Sequence, residues 1–167
     1  MTDVPKRTNR YAEMISFGCM LGAVSFYLLS RIESPLRALL QIAAVILLVT
    51  GLQLLIRYTM TTFFYSLDEE DNFIVTKQVG RRKSVLCDLT LKLTVAICEN
   101  KKDQNFEKRY GRVQHKYNCC ANLMPEKSHV FIFEFAGKQS AVVFEPSDEF
   151  LQEMQARAEK YREKAEE

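Results

Sequence analysis

"RYTMTTFFYSL" (57–67), "DEEDN" (68–72) and "FIVTKQV" (73–79) form one unbroken stretch, and the fold turns on where it begins. Before Arg57 the chain is apolar over dozens of residues. After it, β-branched and aromatic residues alternate with polar ones, the period expected of a strand buried on one face. The acidic turn 68–72 separates two such runs. After "GRRK" (80–83) come "SVLCDL" (84–89) and residues 91–99, where Leu91, Leu93, Val95 and Ile97 alternate with Lys92, Thr94, Ala96 and Cys98. "RVQHKYN" (112–118) and "HVFIFEF" (129–135) follow, and Ala136-Gly137-Lys138 turns the chain into "QSAVVFE" (139–145). The pattern predicts seven antiparallel strands. It then changes period again. Ser147 is placed to cap a helix whose first turn holds Asp148 and Glu149, and Phe150, Leu151, Met154, Ala158 and Tyr161 make a helical stripe over about 147–163. One domain over 57–167 is therefore expected: two sheets closed by an amphipathic helix.

Upstream lie two uncharged runs. Residues 14–30 would span about 26 Å as a helix and residues 38–56 about 28 Å. A bilayer core is about 30 Å thick, so the pair is expected to form a transmembrane hairpin over 14–56 behind an N-terminal tail, 1–13. Ser34-Pro35 in the connecting "RIESPLR" suits a helix start. "LLSRIES" is a poor cleavage site, which favours retained helices over a signal peptide. Lys6, Arg7 and Arg10 precede the first helix and Arg57 follows the second, against Arg31 and Arg37 in the loop. The positive-inside rule then puts both termini in the cytoplasm of a multi-pass cell-membrane protein. Five cysteines, an odd number with no C-x-x-C pair, suit reduced thiols there.

The order of these elements resembles the pleckstrin-homology (PH) superfold, and two membrane helices ahead of it resemble bacterial PH-like membrane proteins of the YcxB-like kind. The segments that carry the resemblance are "TTFFYSLDEEDNFIVTKQVGRRKSVLCDLTL", "HKYNCCANLMP" and "FIFEFAGKQSAVVFEPSDEFLQEM". It implies an α+β chain: a membrane hairpin followed by a seven-stranded antiparallel PH-like sandwich or barrel with a C-terminal helix. PH domains that bind phosphoinositides carry basic residues around the first hairpin. Here that turn is Asp68-Glu69-Glu70-Asp71, which would repel a phosphorylated headgroup.

With almost no linker after Arg57, alternate turns of an up-and-down sheet fall toward and away from the membrane. The nearer ones would hold Arg81, Arg82, Lys83, Lys101, Lys102, Lys108 and Arg109, with Lys138 in the short 136–138 turn, and would face anionic lipid headgroups. In the helices, Gly18 and Gly22 have the spacing of a close-packing motif, and Ala44 and Gly51 offer a small-residue seam, to the other helix or to a second copy. His115, Cys119 and Cys120 match no common metal site, and His115 and Cys119 fit a half-buried strand face. Cys87 and Cys98 are candidates to meet in space. No nucleophile–base pair, phosphate loop or calcium loop is spelled out, so no catalytic residue, metal or cofactor is expected. A net charge of +2 gives no reason to expect nucleic acid. The reading is a membrane-anchored binding or scaffold protein for protein partners, lipid headgroups or both. The alternative is an assembly subunit of a larger membrane complex.

Overall fold

The computed structural model describes residues 1–7, 10–32, 35–100, 110–111, 113–135 and 137–166, the last five of these as backbone. The chain divides into two units. One holds Met1–Lys6, Thr62–Ala121 and Pro125–Glu167; the other holds Arg7–Thr61 and Asn122–Met124.

The first unit is built on two four-stranded sheets. Sheet 1 has the order β1 (Thr2–Asp3), β2 (Thr61–Leu67), β3 (Asn72–Val79), β4 (Arg82–Thr90). Sheet 2 has the order β5 (Thr94–Glu99), β7 (His129–Phe135), β8 (Lys138–Phe144), β6 (His115–Asn118). The α+β class and the sandwich with a terminal helix, α3 (Asp148–Glu166), are as expected. Several details differ. Thr2 and Asp3, in the stretch read as a tail, form an edge strand opposite Ser66 and Tyr65, and the Met1 ammonium donates to the Leu67 carbonyl at 2.7 Å. Two residues carry no periodic signal, so only the pairing reveals them. β6 runs parallel to β8, where an antiparallel partner was expected. The long 119–128 segment that follows β6 is what allows the crossover a parallel pair needs.

The first strand starts at Thr61, not at 57, because Leu55–Met60 continues the preceding helix as a π-helical turn and Thr61 Oγ1 donates back to the Ile56 carbonyl at 2.8 Å. The strand expected over 91–99 is likewise divided. Leu91–Leu93 is a 3-10 turn that carries the chain from one sheet to the other, and β5 begins at Thr94. Leu91 is buried in the core while Leu93 is exposed, so the two do not share a face.

The core lies between the sheets. Phe63, Tyr65 and Leu67 of β2, Phe73 and Val75 of β3, Phe131 and Phe133 of β7 and Val142 and Phe144 of β8 meet Phe150 and Met154 of α3. Alternation in β2 is complete, so every second side chain turns inward. Phe73 stands 5.1 Å from Phe144 and 5.4 Å from Phe131 between ring centroids, and Tyr65 meets Phe144 edge-on at 5.5 Å. The one polar atom Tyr65 brings into this core is satisfied: its hydroxyl donates to the Cys119 carbonyl at 2.9 Å and accepts from Glu145 N at 3.3 Å. Burial raises its pKa far above the usual tyrosine range.

Sheet 2 is covered on both faces. Ala96, Cys120, Val130, Ile132, Ala141 and Val143 form a second buried cluster, which Tyr110 and Val113 join. A strand buried on both sides can be apolar in an unbroken run, as Val130–Phe133 and Ala141–Phe144 are.

α3 starts as the sequence predicts, with Phe150 N donating to Ser147 Oγ at 3.3 Å. Asp3 Oδ2 accepts from Ser147 N at 2.7 Å. Further along, Arg157 bonds the Asp68 carbonyl and Asp71 Oδ1, both at 2.9 Å, and Tyr161 donates to Asp71 Oδ2 at 2.7 Å. The acidic turn is thus a tie for the helix as well as a solvated loop. Asp71 adopts a left-handed conformation (φ 59°), which a short polar side chain tolerates.

The second unit is a pair of helices, α1 (Tyr11–Leu29) and α2 (Arg37–Leu54), each long and apolar enough to cross a membrane. Small residues pack between them: Ala12, Ser16 and Ala23 of α1 with Ala44 and Gly51 of α2. Ser16 Oγ donates to the Gly51 carbonyl at 2.7 Å. A Cβ added at Gly51 would stand 3.1 Å from the Ser16 carbonyl oxygen and 3.2 Å from Cys19 Cβ, so glycine is what lets the helices approach. The large side chains point outward, among them Phe17, Leu21, Leu39, Ile42, Val45 and Ile46, all exposed. Ser34 lies outside the described residues, and Leu36 precedes α2 without a side-chain cap.

Candidate functional site

Two features of the β-domain have the makings of a binding surface. The first is a groove beside β5. Among the described residues this strand is an edge of sheet 2, paired with β7 on one side only, from Thr94 opposite Phe133 to Glu99 opposite His129. Across its other side runs α3. Thr94, Val95, Ala96 and Ile97 form one wall and Gln155, Ala158 and Glu159 the other, around a cavity of about 160 Å³. A bulge between Thr94 and Ala96 breaks the alternation of β5, which is why Ala96 is buried where the sequence pattern would put it in solvent. Thr94 Oγ1 is buried there without a hydrogen-bond partner among the described residues. No single residue of this groove stands out in the sequence. Only the pairing order, which leaves β5 at an edge, exposes it.

The second feature is the far edge of sheet 1. The β3–β4 turn is Gly80-Arg81, and Gly80 takes φ +58°, where a side chain would be strained. Arg82 and Lys83 begin β4 opposite Val79 and Gln78. The register then slips: Thr76 faces Val85 and Val75 faces Cys87, leaving Leu86 as the additional residue of a bulge. The bulge leaves both Val85 (62 % exposed) and Leu86 (49 % exposed) open to the outside of the sheet. Lys83 Nζ sits 5.3 Å from the centre of the Phe64 ring. Arg81, Arg82 and Lys83 therefore share one end of the sheet. Lys101, Lys102, Lys108 and Arg109 lie outside the described residues.

The remaining candidates separate. Ala44 and Gly51 are in the helix seam, Gly22 is at its margin with a prospective Cβ 3.4 Å from Leu47 Cδ1, and Gly18 meets nothing within 4 Å. The seam on α1 is carried by Ser16 and Ala23, not by the G-x-x-x-G pair. His115 and the rest of β6 are exposed while Cys119 and Cys120 are buried, so His115 and Cys119 do not share the half-buried face expected of them. Cys87 and Cys98 pack in different clusters. Cys87 instead faces the core near Cys119, and burial pushes its thiol up to about 12. Among the described residues, no three His, Cys, Asp or Glu groups could hold a metal ion.

The acidic turn carries its own electrostatics. Asp68 accepts from Asn72 N at 2.7 Å and Asn72 Nδ2 at 3.0 Å, and the bond from the Asn72 amide is the main cause lowering its pKa. Asp71 is lowered by the Tyr161 hydroxyl first and then by Arg157.

No curated protein and no solved structure matches the chain. The family model of the bacterial PH-like domain (DUF6106) matches residues 3–162, which takes in α1, α2, β2 to β8 and most of α3. With two four-stranded sheets closed by a C-terminal helix, the chain belongs to the bacterial PH-like domain family.

Proposed function

We propose that this protein is a membrane-anchored binding module, whose PH-like domain takes an extended segment of a protein partner in the groove between β5 and α3. The observation that carries the reading is the groove itself: a strand at the edge among the described residues, its outer side open to a cavity, with a threonine hydroxyl inside that has no hydrogen-bond partner among those residues. Strand addition to such an edge supplies main-chain hydrogen bonds, and the flanking pocket selects side chains. Ala96 and Ala158 leave room for a small residue, while Gln155 and Glu159 favour an amide or basic one beside it.

The membrane setting is supported by the outward-facing leucines, isoleucines and phenylalanines of α1 and α2. Water would not tolerate an apolar surface of that extent on a monomer. The pairing of β1 with β2 supports a hairpin, because the segments before α1 and after α2 then belong to one sheet and so to one side of the bilayer. The flanking Lys6, Arg7, Arg10 and Arg57 favour the cytoplasmic side. Binding is preferred to catalysis because the Tyr65 hydroxyl and the Asp71 carboxylate, both with shifted pKa values, are tied up in structural hydrogen bonds, and burial holds the Cys87 thiol neutral.

A second reading, assembly into a larger membrane complex, is favoured by an apolar groove of about 350 Å³ between the helices, lined by Ala23, Tyr27, Gln41 and Ala44 among others. One experiment separates the two. A photo-crosslinking residue at Glu159 of the full-length protein in its own membrane is expected to give a discrete protein adduct, lost on Gln155→Trp. An adduct that survives Gln155→Trp unchanged overturns the groove. Adducts from Gln41 with none from Glu159 transfer the function to the helices.

A further inference from the structure

We infer that the bulged edge of sheet 1 is a bilayer-contact surface, with Val85 and Leu86 seated among anionic lipid headgroups that Arg81, Arg82 and Lys83 neutralise. The inference rests on the membrane setting proposed above and adds a lipid-recognising surface to it. Val85 and Leu86 are consecutive, strongly exposed and turned outward together by the bulge. The three cations precede them with only Ser84 between, and the described residues hold no carboxylate within ion-pair reach of Arg81 or Arg82. Acidic residues collect at the opposite end of the same sheet, in the turn after β2, where Asp68 and Asp71 are already engaged. The sheet is thus basic and apolar at one end and acidic at the other.

Chain direction decides which end meets the bilayer. The uncharged run ends at Ile56, and Arg57–Met60 adds about 6 Å of helix, comparable with the depth of a headgroup layer. β2 then runs away from its start, β3 returns, and the β3–β4 turn comes back to the end where β2 began. β4 lies two strand spacings from β2, about 10 Å. The basic end is therefore the end the polypeptide holds close to the lipid. A protein strand fits this edge poorly, since a bulge and a row of Lys and Arg side chains are what discourage edge-to-edge pairing.

The chain contains no tryptophan, so single tryptophans report without background. The full-length protein would carry Val85→Trp, Ile42→Trp or Glu69→Trp in vesicles of phosphatidylcholine with or without phosphatidylglycerol, with brominated acyl chains as quencher. Ile42→Trp is expected to be quenched in both. Val85→Trp is expected to be quenched in anionic vesicles, by about twofold more than in neutral ones, and to lose that difference when Arg81, Arg82 and Lys83 become serine. Glu69→Trp should stay unquenched. Quenching at 42 without quenching at 85 overturns this inference and leaves the membrane reading standing, whereas no quenching at 42 overturns both. A blue-shifted but unquenched Val85→Trp means a protein covers the edge, and equal quenching in neutral vesicles removes the anionic recognition; either result overturns the proposal.

Discussion

In the helical pair the side chains shielded from solvent are Ala12, Ser16, Ala23 and Ala44, with Gly51 at the closest approach, and the phenylalanines, leucines and isoleucines face outward. In the β-domain the order is reversed: Phe63, Tyr65, Phe73, Phe131, Phe144 and Phe150 are inside, and lysines, arginines and acids cover much of the outside. Both units draw on the same apolar residue types, yet they bury opposite sizes. In water, removing large apolar area from solvent is the dominant favourable effect. In hydrocarbon that drive is absent, and helices associate through close backbone approach and a few hydrogen bonds. The inversion is what the proposed bilayer setting requires.

The largest expected effect tests the β side of this comparison. Phe73→Ala removes the ring at the centre of the aromatic cluster and is expected to cost about 3–5 kcal/mol, read from urea unfolding in mild detergent. Phe17→Ala on α1 should cost less than about 0.5 kcal/mol in the same assay; equal costs would break the contrast. Next comes the seam. Gly51→Leu pushes a side chain against the α1 backbone and is expected to lower hairpin stability by about 1–3 kcal/mol, seen as earlier thermal loss of helical circular dichroism, while Gly18→Leu leaves it unchanged. A Gly18→Leu effect as large as that of Gly51→Leu would place the seam on the wrong face.

Smaller effects come from the ties that hold α3. Arg157→Ala is expected to cost about 1 kcal/mol, because Asp71 keeps its bond to Tyr161. The pKa of Asp71 is lowered in the folded state, so its contribution is complete above the ordinary value of 3.8 and is lost as pH falls through the depressed one. An acid titration of stability should therefore be shallower in Asp71→Asn; an unchanged slope would remove the tie. The smallest expected effect is at His129, whose Nδ1 is buried without a hydrogen-bond partner among the described residues. Burial lowers its pKa, so the unfolded chain takes up the proton first and stability falls as pH drops below the ordinary value of 6.5. His129→Gln should flatten thermal stability between neutral and mildly acidic pH, and a wild-type slope in the variant would assign that slope elsewhere.

Much of this architecture is legible in the order of the residues. Period-two alternation found β2 and β3, continuous apolar runs found β7 and β8, and the stripe of Phe150, Met154, Ala158 and Tyr161 found the face of α3, because alternation and stripe report burial on one side of a regular element and an unbroken run reports burial on both. Alternation failed where burial has two sides or none. β5 is packed on both faces and bulged, so its alternation pointed to the wrong inner residues. β6 is exposed throughout. The basic cluster at 81–83 was visible as charge, but the apolar pair beside it was not, since a strand read without its bulge turns Val85 and Leu86 to opposite faces.

Local chemistry in the sequence determined the periods of β2, β3 and α3, the apolar lengths of α1 and α2 and the Ser147 cap. Each depends on residues a few positions apart, whose geometry is fixed by the backbone. Only the tertiary structure decided that Thr2 and Asp3 join the sheet, that β6 runs parallel to β8, that Arg157 reaches Asp71, and that β5 lies at an edge beside α3. Those contacts join residues dozens of positions apart. No local pattern encodes which surfaces meet; packing the two sheets and the helix around one aromatic core does.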